Sequence, residues 1–138
     1  MANNPRRYRS RAAPHEEAAV DEATLAEFFL AARYGDYRKI KTLLDSGVPP
    51  TLAEPSTGFT LLHYIAARGI GAPVHGLLRR YDFDFLLRDH LGRLPSELAA
   101  TVAEDFTLAG RLRSRELEQA DSQGITLTYR PRPPATES

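Results

Sequence analysis

The sequence predicts an all-α fold of short helices in pairs, repeated about three times along 138 residues. Punctuation is the first reason: Pro14, Pro73 and Pro95 stand where a helix can begin, and Gly35, Gly47 and Gly69 where one can end. Periodicity is the second: Ala31-Ala32, Ile65-Ala66 and Ala99-Ala100 lie 34 residues apart. Such a period marks an internal repeat, each unit too small to bury its own apolar face.

The first helix is expected from about Pro14 to Tyr34. Val20, Leu25, Phe28, Phe29 and Ala32 lie along one side, with Glu16, Glu17 and Glu22 toward its positive end. Gly35 closes it. Asp36 then N-caps a second helix with Tyr37, Ile40, Leu43 and Leu44 as its apolar stripe and Arg38, Lys39, Lys41 and Asp45 toward water, ended by Gly47 and Pro49-Pro50. Thr60-Leu61-Leu62-His63 opens a short helix that runs through Ala66 to Gly69, and Pro73 starts another with Val74, Leu77 and Leu78. Leu94-Pro95-Ser96-Glu97 opens a fifth through Leu98 to Ala100. Asp105 caps a longer last helix with Phe106, Leu108, Leu112 and Leu117.

These coincident positions resemble the ankyrin repeat, a β-turn followed by two antiparallel helices with a period of about 33 residues and a T-P-L-H signature. Gly58-Phe59-Thr60-Leu61-Leu62-His63, Ile65-Ala66, Gly69 and Leu77-Leu78 carry the likeness most fully, with Leu61 in place of the proline. The first unit keeps Leu30 to Asp36 and Lys41 to Gly47. The third keeps Asp89, Gly92, Pro95 and Leu98 to Ala100, but has Glu97 for the histidine and Ala103 for the glycine. The resemblance implies a short ankyrin-repeat solenoid over 14–121, with repeats at about 22–55, 56–88 and 89–121, hairpin-like turns and helical caps. A basic arm, 1–13, and a proline-rich tail, 122–138, flank it. Alanines at 31, 32, 66, 99 and 100 permit close approach of the first helices, and the leucines of the second helices fill the layer between.

A hydrophobic fraction of 42% suits one modest core, and no apolar run approaches the roughly 20 residues of a membrane span or forms a signal peptide. A cytoplasmic protein is expected, without membrane association. Zero cysteines excludes disulfides, thiolate metal sites and a cysteine nucleophile. Arginine outnumbers lysine 16 to 2, a bias expected of a GC-rich bacterial genome. The net charge of zero divides into +4 over residues 1–11, −5 over 12–128 and +1 over 129–138. An acidic body repels phosphate backbones, so nucleic-acid binding would rest on Arg6, Arg7, Tyr8, Arg9 and Arg11. Arg111, Arg113 and Arg115 diverge around their helix and form no stripe.

No nucleophile elbow, H-E-x-x-H, P-loop or dinucleotide fingerprint occurs, and Gly69-Ile70-Gly71 reads as a helix end. The pairs Glu16-Glu17, Asp82/Asp84 and Glu104-Asp105 read as solvated charges or caps. No enzyme activity, cofactor or metal is expected, since His15, His63, His75 and His90 fall on different parts of the repeat. The resemblance gives His63 a bonding role between adjoining turns. It also implies partner recognition on a concave surface of turn tips and inner-helix ends. Transferred repeat by repeat, that surface comprises Arg33 and Tyr34; Ser56, Thr57, Phe59, Ala67 and Arg68; and His90, Leu91, Arg93, Thr101 and Val102. Its arginine and aromatic content suits an acidic or mixed protein surface. A monomer that binds, and so regulates, scaffolds or inhibits, another protein is the expected function; a nucleic-acid adaptor using the basic arm is the alternative.

Overall fold

The computed structural model describes residues 20–69 and 72–129, the side chains of 72–75 excepted. Among the described residues are six helices and no strand: α1 (Glu22–Tyr34), α2 (Tyr37–Asp45), α3 (Leu61–Arg68), α4 (Ala72–Arg80), α5 (Pro95–Thr101) and α6 (Phe106–Ser122). The helix expected from Pro14 starts at Glu22, because the Asp21 carboxylate accepts the Thr24 N–H at 2.7 Å and caps it there. Pro14, His15, Glu16 and Glu17 lie outside the described residues, and Val20 sits in a bend before the cap.

Gly35 takes a left-handed φ of 71°, and its N–H and that of Asp36 reach back to the Ala32 and Ala31 carbonyls. Asp36 then caps α2 through the Lys39 N–H at 3.2 Å, so the chain reverses within two residues. Gly69 ends α3 in the same conformation, φ 67°. After α5 the sequence offers Ala103 at the glycine position, and the turn differs. The left-handed residue moves on to Glu104, φ 54°, and the N-cap moves on to Asp105, which accepts the Leu108 N–H at 3.0 Å. Residues 102–105 separate α5 from α6, against residues 35–36 between α1 and α2, and the left-handed conformation falls on a residue whose β-carbon disfavours it.

Helix α1 packs on α2 and on α3, α3 on α5, and α5 on α6. Phe28, Ile40, Leu61, Leu62, Ile65, Leu98 and Leu112 form the fully buried centre. Small residues set the spacing: Ala31, Ala32, Ala66 and Ala99 are buried, and a methyl group on Gly69 would lie 2.7 Å from the Ala103 Cβ. The turns between helix pairs are closed by backbone bonds from the Glu54 N–H to the Phe59 carbonyl and from the Asp89 N–H to the Arg93 carbonyl, and the Gly58 and Gly92 N–H groups return to the Glu54 and Asp89 carbonyls.

Helix α6 departs from its expected face. Leu108, Leu112, Glu116 and Ala120 are buried at four-residue spacing, whereas Phe106 and Leu117 are exposed. At 100° per residue, Phe106 lies some 200° from Leu108 and Leu117 about 100° from Glu116, so neither shares the buried side. The carboxylate of Glu116 takes a core position next to the exposed Leu117.

Candidate functional site

Thr60 precedes α3 in an extended conformation, leaving its N–H and that of the first helical turn to be satisfied. His63 supplies what is missing. Its Nδ1 lies 3.1 Å from the Thr60 backbone nitrogen and 2.9 Å from the Thr60 hydroxyl, and its Nε2 lies 2.9 Å from the Arg93 carbonyl oxygen. A backbone N–H only donates, so Nδ1 accepts and Nε2–H donates: the ring is neutral in one tautomer. Burial holds its pKa below the ordinary histidine value, against the smaller opposite pull of the Arg93 carbonyl. In the next unit Glu97 stands 34 residues on and performs half the task, its carboxylate accepting the Leu94 N–H at 2.8 Å.

The Arg93 carbonyl that His63 holds belongs to a turn organised by Asp89. This buried carboxylate accepts the Leu91 and Arg93 N–H groups at 3.0 and 2.8 Å and the Arg93 Nε at 2.8 Å. Burial raises its pKa, but the Arg93 bonds and charge outweigh it, and the net shift is downward. The preceding turn is organised by Glu54, which accepts from the Tyr64 hydroxyl, from Thr57 Oγ1 at 3.0 Å and from Arg33 at 3.4 Å. The two turns are joined where the His90 N–H donates to the Thr57 carbonyl at 3.0 Å. Gly58 makes this possible: its φ is 75°, and a β-carbon there would lie 2.8 Å from the His90 nitrogen.

Half of the recognition residues expected from the sequence are thereby engaged inside the molecule. Arg33 bonds Glu54 and Tyr64; Arg68 lies across Gly35 and donates to the Arg33 carbonyl at 3.1 Å. Phe59 packs on the core, stacked on His63 with its ring centroid 5.4 Å away and covered by the Arg93 guanidinium at 5.8 Å. Thr57 Oγ1 also accepts the Phe59 N–H at 3.1 Å. Arg68, Arg33, Thr57, Phe59, His90 and Arg93 are therefore brought together as one bonded seam along the turns. Ser56 is exposed, and Tyr34 and Leu91 project outward, 69% and 67% exposed.

A second alignment lies beside the seam. Tyr34, Arg68 and Val102 are 34 residues apart, sit at the C-terminal ends of α1, α3 and α5, and are all exposed. Among the described residues no carboxylate pairs with Arg68, whereas Arg33 and Arg93 are matched by Glu54 and Asp89. Sequence reasoning missed Glu54 and Tyr64, which organise the seam, because their ten-residue separation follows no helical or repeat period. It missed Glu116 despite a usable signal, the four-residue run from Leu108 through Leu112 to Ala120.

Among the described residues no three His, Asp or Glu side chains gather as a metal would require, and no helix is long and apolar enough to cross a membrane. The expectations concerning Arg6, Arg7, Tyr8, Arg9, Arg11, His15 and the tail beyond Tyr129 fall outside the described residues, as does the side chain of His75. The chain matches no family model and no curated protein.

Proposed function

We propose that the chain is a non-enzymatic, ankyrin-repeat binding module that recognises another protein along the row Tyr34, Arg68 and Val102, flanked by Leu91 on the third turn. The observation that carries this reading is the exposure of three side chains of different chemistry at one repeat-equivalent position. The 34-residue spacing and the packing of α1, α3 and α5 in series support the repeat assignment. Interface anchors are enriched in Tyr and Arg, and apolar neighbours exclude water around them.

The chemistry of the row narrows the partner. Arg33 and Arg93 are neutralised by Glu54 and Asp89, and Arg68 alone brings an unmatched charge to a tyrosine and two aliphatic residues. The complementary surface is apolar with a single carboxylate, rather than broadly acidic. Co-purification from the native host identifies the partner, and calorimetric titration of the purified pair tests the face. Tyr34→Ala combined with Val102→Ala should weaken binding about tenfold or more while leaving thermal unfolding close to wild type. Unchanged affinity in a folded double variant would exclude this row.

A further inference from the structure

Helix α6 ends at Ser122 with Gln123 as its cap, and Gly124 turns the chain back with φ 69° and its Cβ direction open to space. The Ile125 N–H closes this reversal on the Ala120 carbonyl at 2.8 Å. Beyond it the segment to Tyr129 has no buried residue; Leu127 and Tyr129 are half-buried and the others exposed. Its far end is nevertheless held by three contacts. Arg88 donates to the Thr128 carbonyl at 2.8 Å, the Arg113 guanidinium lies 3.9 Å from the Tyr129 ring centroid, and the Tyr129 hydroxyl donates to Glu116 at 3.0 Å.

Glu116 is the unusual member. Its carboxylate is fully buried and accepts the Ser96 N–H at 2.9 Å and the Ser96 hydroxyl at 2.7 Å in addition to Tyr129. A buried carboxylate bound only by neutral donors retains a large desolvation cost, and water reaching it is favourable. We propose that Gly124–Tyr129 is a strap, hinged at Gly124 and latched by the Tyr129 hydroxyl on Glu116, which opens from α6 while the helices stay folded. The physical basis is uneven stability: the strap buries little apolar surface, whereas α6 is anchored by Leu108 and Leu112.

Among the described residues, the groups facing Glu116 are Tyr129 from the strap, Glu97 from α5 with Arg88 paired to it at 3.9 Å, and Arg113 on α6 against the Tyr129 ring. Burial raises the Glu116 pKa and Glu97 adds to it; the Ser96 and Tyr129 bonds oppose this without cancelling it. Tyr129 is held protonated by burial and by the neighbouring Glu116 charge. The Tyr129 hydroxyl is therefore the donor of the latch, and its bond favours the ionised carboxylate.

The absence of native cysteine makes the test free of background. In the full chain, Leu127→Cys reports strap opening and Ala99→Cys, at a fully buried core position, reports global unfolding. Thiol labelling is normalised to the same cysteine in denaturant. The expected result is labelling at Cys-substituted 127 at least about tenfold faster than at 99 yet slower than in denaturant. Adding Tyr129→Phe should raise the rate at 127 about tenfold. Equal rates at 127 and 99, or no effect of Tyr129→Phe, would overturn the strap.

Discussion

His63 shows how much of this fold depends on one neutral imidazole. Its two nitrogens satisfy the cap of α3 on one side and the carbonyl of Arg93 on the other. Protonation would place a donor on Nδ1 opposite the Thr60 N–H, so the folded state resists it, in agreement with the downward shift. The unfolded histidine takes up its proton near 6.5, and the folded one only at lower pH. Stability contributed by this residue is therefore complete above about pH 6.5 and falls as pH drops from there toward the folded pKa. Urea unfolding should give a lower stability at about pH 5 than at about pH 7, and the difference should shrink in His63→Ala. That substitution should cost about 2–4 kcal/mol at neutral pH, since it leaves a cavity and two polar groups without their partners.

The turns between helices reveal what a linear pattern can and cannot convey. Asp36 and Asp105 as caps, Gly35 and Gly69 as left-handed stops, and Pro95 as a helix start were all legible, because each acts through a local conformational preference. The exposure of Phe106 and the burial of Glu116 were not, because the rotational setting of α6 is decided by its fit against α5. Nor was the engagement of Arg33, whose partners Glu54 and Tyr64 lie 21 and 31 residues further along the chain. Glu104 carries the one non-glycine positive φ among the described residues. Glu104→Gly should remove a left-handed penalty of about 1 kcal/mol, partly offset by glycine's greater freedom when unfolded. Calorimetry should show a rise in melting temperature of a few degrees or less, with α5 and α6 unchanged in helical content.

Across the whole molecule, stability rests on helix pairs that share walls rather than on separate cores. Ala66 is fully buried on α3, the helix packed against both α1 and α5. Enlarging it disturbs two contacts at once: Ala66→Leu should destabilise by about 1–3 kcal/mol. Chemical denaturation should retain one transition if the pairs unfold together; a wild-type stability in this variant would contradict the close approach assigned to α3. The bond from His63 to Arg93 also has a meaning in time. The Thr60–His63 cap can form as soon as its own helix is made, but the outer ring proton has no acceptor until residue 93 is synthesised, 30 positions later. During translation the second helix pair therefore waits, incompletely sealed, for the turn of the third, and a ribosome pause in that interval would leave the joint exposed to misassembly.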